Sequence, residues 1–379
     1  MNNYLLSENE KLCCGCLSCV YSCPTQALTI QERFDMFSYP QVDASKCVEC
    51  GLCSKVCPVE SYDKNEIIST YALKHKDSQI RKASSSGGAF TAISDYFLDN
   101  GYYVFGSVFD EQYRAVHMGS KQEKLRDKMR ISKYVESSLK GVYPEVKELL
   151  DNGEKVFFTG TPCQVAGLKK YLKKEYEMLF TMDVVCNGVL SPKMLADYLS
   201  LCTNNSNIEY FACRDKYEHT WADSQTVSLK SEEVNLKYLG AFYKFFSRSY
   251  SVRPSCTACK FTNKYRASDI TVGDFWSLKF TNKEFVDDLG VSLVCANSQR
   301  GKDLIDSLGG SCDIIKTDKQ KTVAGCDRLN YCQQGNSNNK MFWNYYKRHS
   351  ARKTFEIYAG DSVVSKLMRK PFELITKNK

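Results

Sequence analysis

The chain has 379 residues, of which 43% are hydrophobic and 25% charged, and its formal net charge is +8. That length suffices for two or three domains, and the lack of any apolar run of about 18 residues argues against a membrane-spanning helix. Basic and aromatic residues are not interleaved as a nucleic-acid surface would require, so no nucleic-acid partner is expected.

The first chemistry along the chain is a pair of cysteine runs. Cys13, Cys16, Cys19 and Cys23 are followed by Pro24, and Cys47, Cys50, Cys53 and Cys57 by Pro58. Each run has the C-x2-C-x2-C-x3-C-P spacing of bacterial [4Fe–4S] ferredoxins, in which the fourth cysteine serves the other cluster. The expected sets are therefore Cys13, Cys16, Cys19 and Cys57 for one cluster, and Cys47, Cys50, Cys53 and Cys23 for the other. Zinc prefers two C-x2-C pairs and fits this pattern poorly. Cys14 stands out of register and reads as a spare thiol. Gly15 and Gly51 read as points where the backbone comes close to the cluster sulfides.

Nineteen cysteines, eight of them in cluster spacing, point to a reducing cytoplasm rather than a disulfide scaffold. Met1 to Leu12 lacks the basic and apolar segments of a secretory signal. Residues 1–66 read as a two-cluster ferredoxin-type domain and 67–82 as a linker.

Beyond Ala83 the pattern alternates strands and helices. A helix opens near Gly88, with Phe90, Ile93 and Phe97 on one face and Gly101 at its close. Strands are expected at 102–109, 155–159, 178–185, 210–213, 226–229, 269–276 and 292–296, and helices at 165–172, 192–201 and 301–308. This alternation gives an α+β/α/β chain, the ferredoxin module being followed by a mixed α/β domain over 83–320. Residues 321–379 form a basic extension with 12 Lys/Arg against 4 Asp/Glu, whereas the first 66 residues carry 5 against 9. A loosely packed, solvated tail is the plain expectation for it. Its aromatic stretch (Phe342, Trp343, Tyr345 and Tyr346, then Val363 to Ile375) could also dock a partner or an anionic lipid surface.

Three loops that follow strands and precede helices carry the remaining chemistry. Ser84-Ser85-Ser86-Gly87-Gly88 suits a phosphate at a helix N-terminus, although a serine-rich cap loop has the same appearance. Cys163 and Cys186 lie after two successive strands, and Cys256 and Cys259 form a C-x2-C pair, so the four thiols suffice for a third cluster. Zinc, unrelated free thiols and a nucleophilic Cys163 remain alternatives. His75, His117, His219 and His349 form no metal-binding pattern and read as packed or surface residues. Asp269, Gly273, Asp274 and Trp276 form the remaining polar–aromatic cluster.

The segments SSSGGAFTA (84–92), ISKYVES (131–137), VFFTGTPCQVAGLKKYL (156–172), DVVCNGV (183–189), CRDK (213–216), RPSCTACKF (253–261) and RASDITVGDFW (266–276) together resemble the coenzyme F-420 hydrogenase/dehydrogenase beta-subunit family. The resemblance spans about 83–300. It implies a flavin-binding domain holding FAD and an inner [4Fe–4S] cluster. It further implies that Ser85, Ser86, Gly87, Gly88 and Lys133 touch the flavin, that Gly160, Thr161 and Gln164 line its site, and that Cys163, Cys186, Cys256 and Cys259 hold the inner cluster; Trp276, as an aromatic residue, would either pack beside the flavin or sit in the core. Lys133, Asn187 and Asp274 are the candidate catalytic residues. Asn187 stands where the family often has His, which puts His-mediated proton transfer there in doubt.

The function expected on these grounds is an oxidoreductase that passes electrons from ferredoxin-type clusters through FAD to a two-electron acceptor. A ferredoxin or a similar protein would be its electron donor or acceptor, with a small molecule at the other end. The alternative is an electron-transfer subunit of a larger hydrogenase, dehydrogenase or reductase complex. Use of coenzyme F-420, the direction of electron flow and a homo-oligomeric state are left open.

Overall fold

The computed structural model describes residues 1–223, 226–335, 339–363 and 365–366. In chain order its first strands are β1 (Leu28–Glu32), β2 (Ser38–Val42), β3 (Asn65–Glu66), β4 (Ser69–His75), β5 (Tyr103–Phe109), β6 (Ala115–Ser120) and β7 (Val156–Gly160). They are followed by β8 (Leu179–Val184), β9 (Ile208–Cys213), β10 (Val227–Ser231), β11 (Tyr265–Arg266), β12 (Ile270–Asp274), β13 (Ser292–Ala296) and β14 (Cys312–Thr317).

Eight of these strands form one sheet, in the order β14-β4-β13-β12-β8-β7-β5-β6. Pairing is parallel from β12 through β8 and β7 to β5, and antiparallel elsewhere. The fold is thus mixed α/β. The central strands are buried at nearly every position because helices cover both faces of the sheet. On one face the helices Ala89–Asp99 and Gln299–Ser307 bury Ile93, Phe97, Leu304 and Ile305 against Phe157, Phe180 and Val294. On the other, Val142–Asp151 and Pro162–Leu172 pack Tyr143, Val146, Val165 and Leu168 onto Phe105, Val156 and Phe158.

The N-terminal cysteine module rests on this second face. Leu17, Cys57 and Val59 enter the same apolar core. Ser18 Oγ donates to Gly167 O (2.7 Å), Gly141 N to Tyr21 Oη (2.7 Å) and Lys260 Nζ to Val59 O (2.9 Å).

Residues 67–82, expected as a linker, instead contain β4, which lies between β13 and β14, and the short helix Ser78–Lys82. The strand escaped notice because STYALKH mixes small polar with apolar residues. It is buried by its place inside the sheet, where Ala72 and Leu73 are fully enclosed. The basic C-terminal segment is also more structured than expected. Helices Asn339–Arg348 and Ala351–Tyr358 turn Phe342, Tyr346, Phe355 and Tyr358 inward. There they build a second, aromatic core with Tyr198, Phe211, Phe242 and Phe245. Positions 364 and 367–375 of the Val363–Ile375 stretch lie outside the described residues.

The loop of serines and glycines is held hard against the sheet. A Cβ on Gly87 would stand 2.3 Å from Leu73 O and 2.5 Å from Ser292 N, and His75 N donates to Gly87 O (2.8 Å). Neither backbone atom can yield without breaking the β4–β13 edge. Gly87→Ala is therefore expected to destabilise the protein by about 1–3 kcal/mol, the usual cost of forced overpacking. Denaturant unfolding of the two proteins checks this.

Candidate functional site

The two cysteine runs fold as matched loops. Leu17 and Gly51 adopt left-handed backbone conformations and open the single-turn helices Ser18–Tyr21 and Leu52–Lys55. The cysteines of the two runs interchange between two groups. Burial first, then the neighbouring Cys16, Cys13, Cys57 and Cys53, push the Cys19 thiol well above its usual range. Cys57 is pushed up to about 12 by burial, with Cys16 and Cys13 beside it. Cys23, Cys47, Cys50 and Cys53 line one small cavity at the other end of the module, where Cys50 is exposed.

A third group lies under the module. Cys163 stands at the N-terminus of the helix Pro162–Leu172, Cys186 follows β8, and Cys256 and Cys259 lie on the turn around Pro254–Ala258. Burial and then Cys163 push Cys186 up to about 12. Burial, then Cys186, Cys259 and Cys163, push Cys256 well above its usual range. Cys14, expected as a spare thiol, lies between two groups: Cys16 and Cys163 are both near enough to its thiol to push its pKa well above the usual range. Gly167 lets the helix and the cysteine loop touch, since a Cβ there would lie 2.7 Å from Cys16 Cβ.

The thiols fit cubane clusters, whose four irons each take one cysteine from the surrounding protein. Among the described residues no three His, Cys, Asp or Glu side chains converge closely enough to hold a single ion. The raised thiol pKa values mean that loading the sites must release protons, because only thiolates bind iron.

The third group of thiols borders a cavity of about 340 Å³ at the carboxyl ends of the parallel strands β7, β8 and β12. Ligands of open α/β sheets bind at this edge. Two helix N-termini open onto the cavity, those of Ala89–Asp99 and Pro162–Leu172, and both favour an anionic group. A capping box of Thr161 and Gln164 fixes the second. Ser107 and Arg214 also line the cavity, and their Oγ and Nε atoms, both buried, have no protein partner among the described residues.

Most of the expected cofactor residues line this cavity: Ser85, Ser86, Gly88, Lys133, Gly160, Thr161 and Gln164. Several already have protein partners. Ser85 Oγ accepts from Ser132 N (3.0 Å), and Ser86 Oγ donates to Val291 O (2.8 Å). Lys133 Nζ donates to the carbonyls of Lys128, Arg130 and Ile131 at 2.6–2.9 Å. Burial lowers its pKa to about 7, while these three acceptors favour the ammonium form.

Two expected cofactor residues do not line the cavity. Gly87 makes its close approach to the sheet backbone. Trp276 begins a 3-10 turn that carries it away from the strand end, and it stacks on Trp221 with ring centres 4.1 Å apart. A Cβ built on Gly15 would lie 2.8 Å from the Arg253 guanidinium, and one built on Gly51 would have no atom of a described residue within 4 Å. Both glycines have φ of 73°, which by itself favours glycine.

The remaining catalytic candidates are tied to other residues. Asp274 pairs with Arg214 and accepts from Trp221 Nε1 (2.7 Å). Asn187 Oδ1 accepts from Arg328 Nε (2.7 Å). His117, read from sequence only as a packed or surface residue, is a buried wall residue of the cavity. Its Nε2 lies 3.1 Å from Thr159 O and its Nδ1 2.7 Å from Ser137 Oγ. A carbonyl can only accept, so Nε2 carries the proton and Ser137 donates to Nδ1. No histidine motif could have revealed this, because the partners lie 20 and 42 residues away.

Residues 153–320 match the family model for the C terminus of the coenzyme F420 hydrogenase/dehydrogenase beta subunit, and residues 12–61 match a 4Fe-4S dicluster domain. A coenzyme F420-dependent sulfite reductase of Methanocaldococcus jannaschii is 25% identical over 286 residues, covering 72% of this chain. The chain spans less than half of that relative, 44% of its length. An uncharacterized polyferredoxin-like protein of the same organism is 35% identical over 60 residues, 14% of this chain and 36% of its own. A chain from the F420-reducing [NiFe] hydrogenase complex of Methanosarcina barkeri superposes with a TM-score of 0.48 at 17% identity, covering 76% of this chain and 94% of its own. Among the described residues no helix is long and apolar enough to cross a membrane. The chain thus joins a 4Fe-4S dicluster domain at 12–61 to a region, 153–320, that matches the C-terminal part of the coenzyme F420 hydrogenase/dehydrogenase beta subunit.

Proposed function

We propose that the protein is an iron–sulfur oxidoreductase that moves electrons between its surface and a two-electron cofactor in the 340 Å³ cavity. The observation that carries this reading is the sequence of three thiol groups. Cys23, Cys47, Cys50 and Cys53 lie at the exposed end of the module. Cys13, Cys16, Cys19 and Cys57 come next. Cys163, Cys186, Cys256 and Cys259 border the cavity. Each group would hold one [4Fe–4S] cluster.

A flavin such as FAD, bound in the cavity, would exchange single electrons with clusters and a hydride with a substrate. Residues Ser85 to Gly88 and the Thr161–Gln164 cap would hold its anionic part at the two helix N-termini. The sulfite reductase relative is named for coenzyme F420, so this deazaflavin is the first acceptor or donor to try at the open side of the site. Asn187 is exposed there beside Arg328. A ferredoxin-like protein would exchange electrons at the exposed thiol group.

The match to only 44% of the sulfite reductase relative favours a second reading. In it the chain is an electron-input subunit, and a partner carries the substrate chemistry. Turnover of reduced F420 with an artificial electron acceptor by the isolated protein would exclude that reading.

Anaerobically purified protein should contain about twelve irons and twelve acid-labile sulfides, four of each per cubane, with one flavin per chain. Cys186→Ala should lower iron to about eight and leave the two ferredoxin-type clusters. Eight irons in the unaltered protein would remove the inner cluster. Eight irons with no flavin, even after reconstitution with FAD, would overturn the cofactor assignment.

His117 serves as a fixed neutral wall of the site. Burial lowers its pKa to about 4 from the ordinary 6.5. Its contribution to stability is therefore complete above pH 6.5 and is lost as pH falls from 6.5 towards 4, where the unfolded chain takes up the proton first. Between pH 7.5 and 5.5 this loss comes to about 1 kcal/mol. Unfolding curves at the two pH values should show that loss, and His117→Gln should abolish this part of the pH dependence.

A further inference from the structure

Among the described residues, Arg253 is the one basic side chain driven into the seam between the cysteine module and the sheet domain at the level of the thiols. It is 1% exposed. Its Nε donates to Cys13 O (3.0 Å), its Nη2 to Ser38 O (2.9 Å), and Nη2 also lies 3.8 Å from Cys13 Sγ. Its Nη1 pairs with Glu136, itself largely buried. The guanidinium stacks over Tyr39 at 4.3 Å and over Phe37 at 5.2 Å. Gly15, in the middle of the first cysteine loop, is the residue that leaves room for it. Arginine stays protonated in proteins, so a full positive charge is fixed beside Cys13 in a seam closed to solvent.

We propose that Arg253 raises the reduction potential of the cluster held by Cys13, Cys16, Cys19 and Cys57, and that Glu136 offsets part of this effect. The inference rests on the cluster assignment made above. Reduction adds one electron and makes the cluster more negative. A nearby positive charge in a low-dielectric seam stabilises that form, and an N–H donor aimed at a ligand sulfur acts in the same sense. The carboxylate on the far side of the guanidinium opposes it. The outer group, Cys23, Cys47, Cys50 and Cys53, has no contact with Arg253 among the described residues, and solvent screens its exposed end. Electrons entering at the outer cluster would thus be drawn inward, one electron leaving it for each one gained by the middle cluster.

The test is an EPR-monitored redox titration of the holoprotein, with iron content measured on the same samples. Arg253→Gln should lower the midpoint of one cluster, by about tenfold in its reduction equilibrium or ~59 mV for a one-electron couple. Glu136→Gln should raise the midpoint of the same cluster. Arg253→Lys, which keeps the charge, should stay nearer the unaltered protein than Arg253→Gln does. The remote cluster should keep its potential in all three. Should Arg253→Gln fail to fold, the upward shift in Glu136→Gln still decides the matter. Unmoved midpoints, or shifts of the same sign for Arg253→Gln and Glu136→Gln, in proteins with full iron content would overturn the role of Arg253. Lack of any reducible cluster in the unaltered protein would instead overturn the cluster assignment beneath it.

Discussion

The buried ion pair of Arg253 and Glu136 is the joint on which the arrangement of this protein depends. A charge this deep is tolerable only when it is paired and its remaining donors are satisfied, and removing one partner of such a pair costs about 3–5 kcal/mol. Here the donors are satisfied by two separate parts of the cysteine module, Cys13 O and Ser38 O, and by a loop of the sheet domain that supplies Glu136. Arg253 also begins the turn that carries Cys256 and Cys259. One guanidinium therefore fixes the first cysteine loop relative to the last pair of thiols. Two small domains joined by a flexible connector would not hold those thiols at a constant separation.

The same demand for proximity explains the glycines on the seam. Gly15 makes room for the guanidinium and Gly167 for Cys16, so the helix Pro162–Leu172 reaches the cysteine loop with only a backbone between them. That helix has two functions. Its N-terminus faces the cavity with Thr161 and Gln164, and its middle touches the module at Gly167. The β4 strand does comparable work on the far side of the sheet. It carries the chain from the module directly into the sheet's interior, so the module enters the fold without a hinge.

What the sequence revealed was local. The spacing of the cysteine runs, the cap before Ala89, and the strand at Ser292–Ala296 each declare themselves within a few residues. The features that were hidden depend on distant partners. Arg253 meets residues 117, 215 and 240 positions away, and nothing near it in sequence signals a buried charge. The C-terminal helices read as a loose basic tail because their charges dominate the composition. Phe342 and Tyr346, four residues apart on one helical face, in fact supply an inward stripe. Trp276 could be read from the sequence as a ring beside a flavin or as a core residue, whereas the turn after Asp274 sends it, partly exposed, onto Trp221.

The position of Cys14 bears on how electrons would cross the seam. Cys16 on one side and Cys163 on the other both raise its pKa, so Cys14 stands between the middle and inner thiol groups. The outer group reaches the middle one through Cys53, which lies in the field of Cys19. The three thiol groups thus lie in succession between the exposed end of the module and the cavity. Chemical selectivity would rest on the cavity walls, which Ser107, His117 and Arg214 help to line.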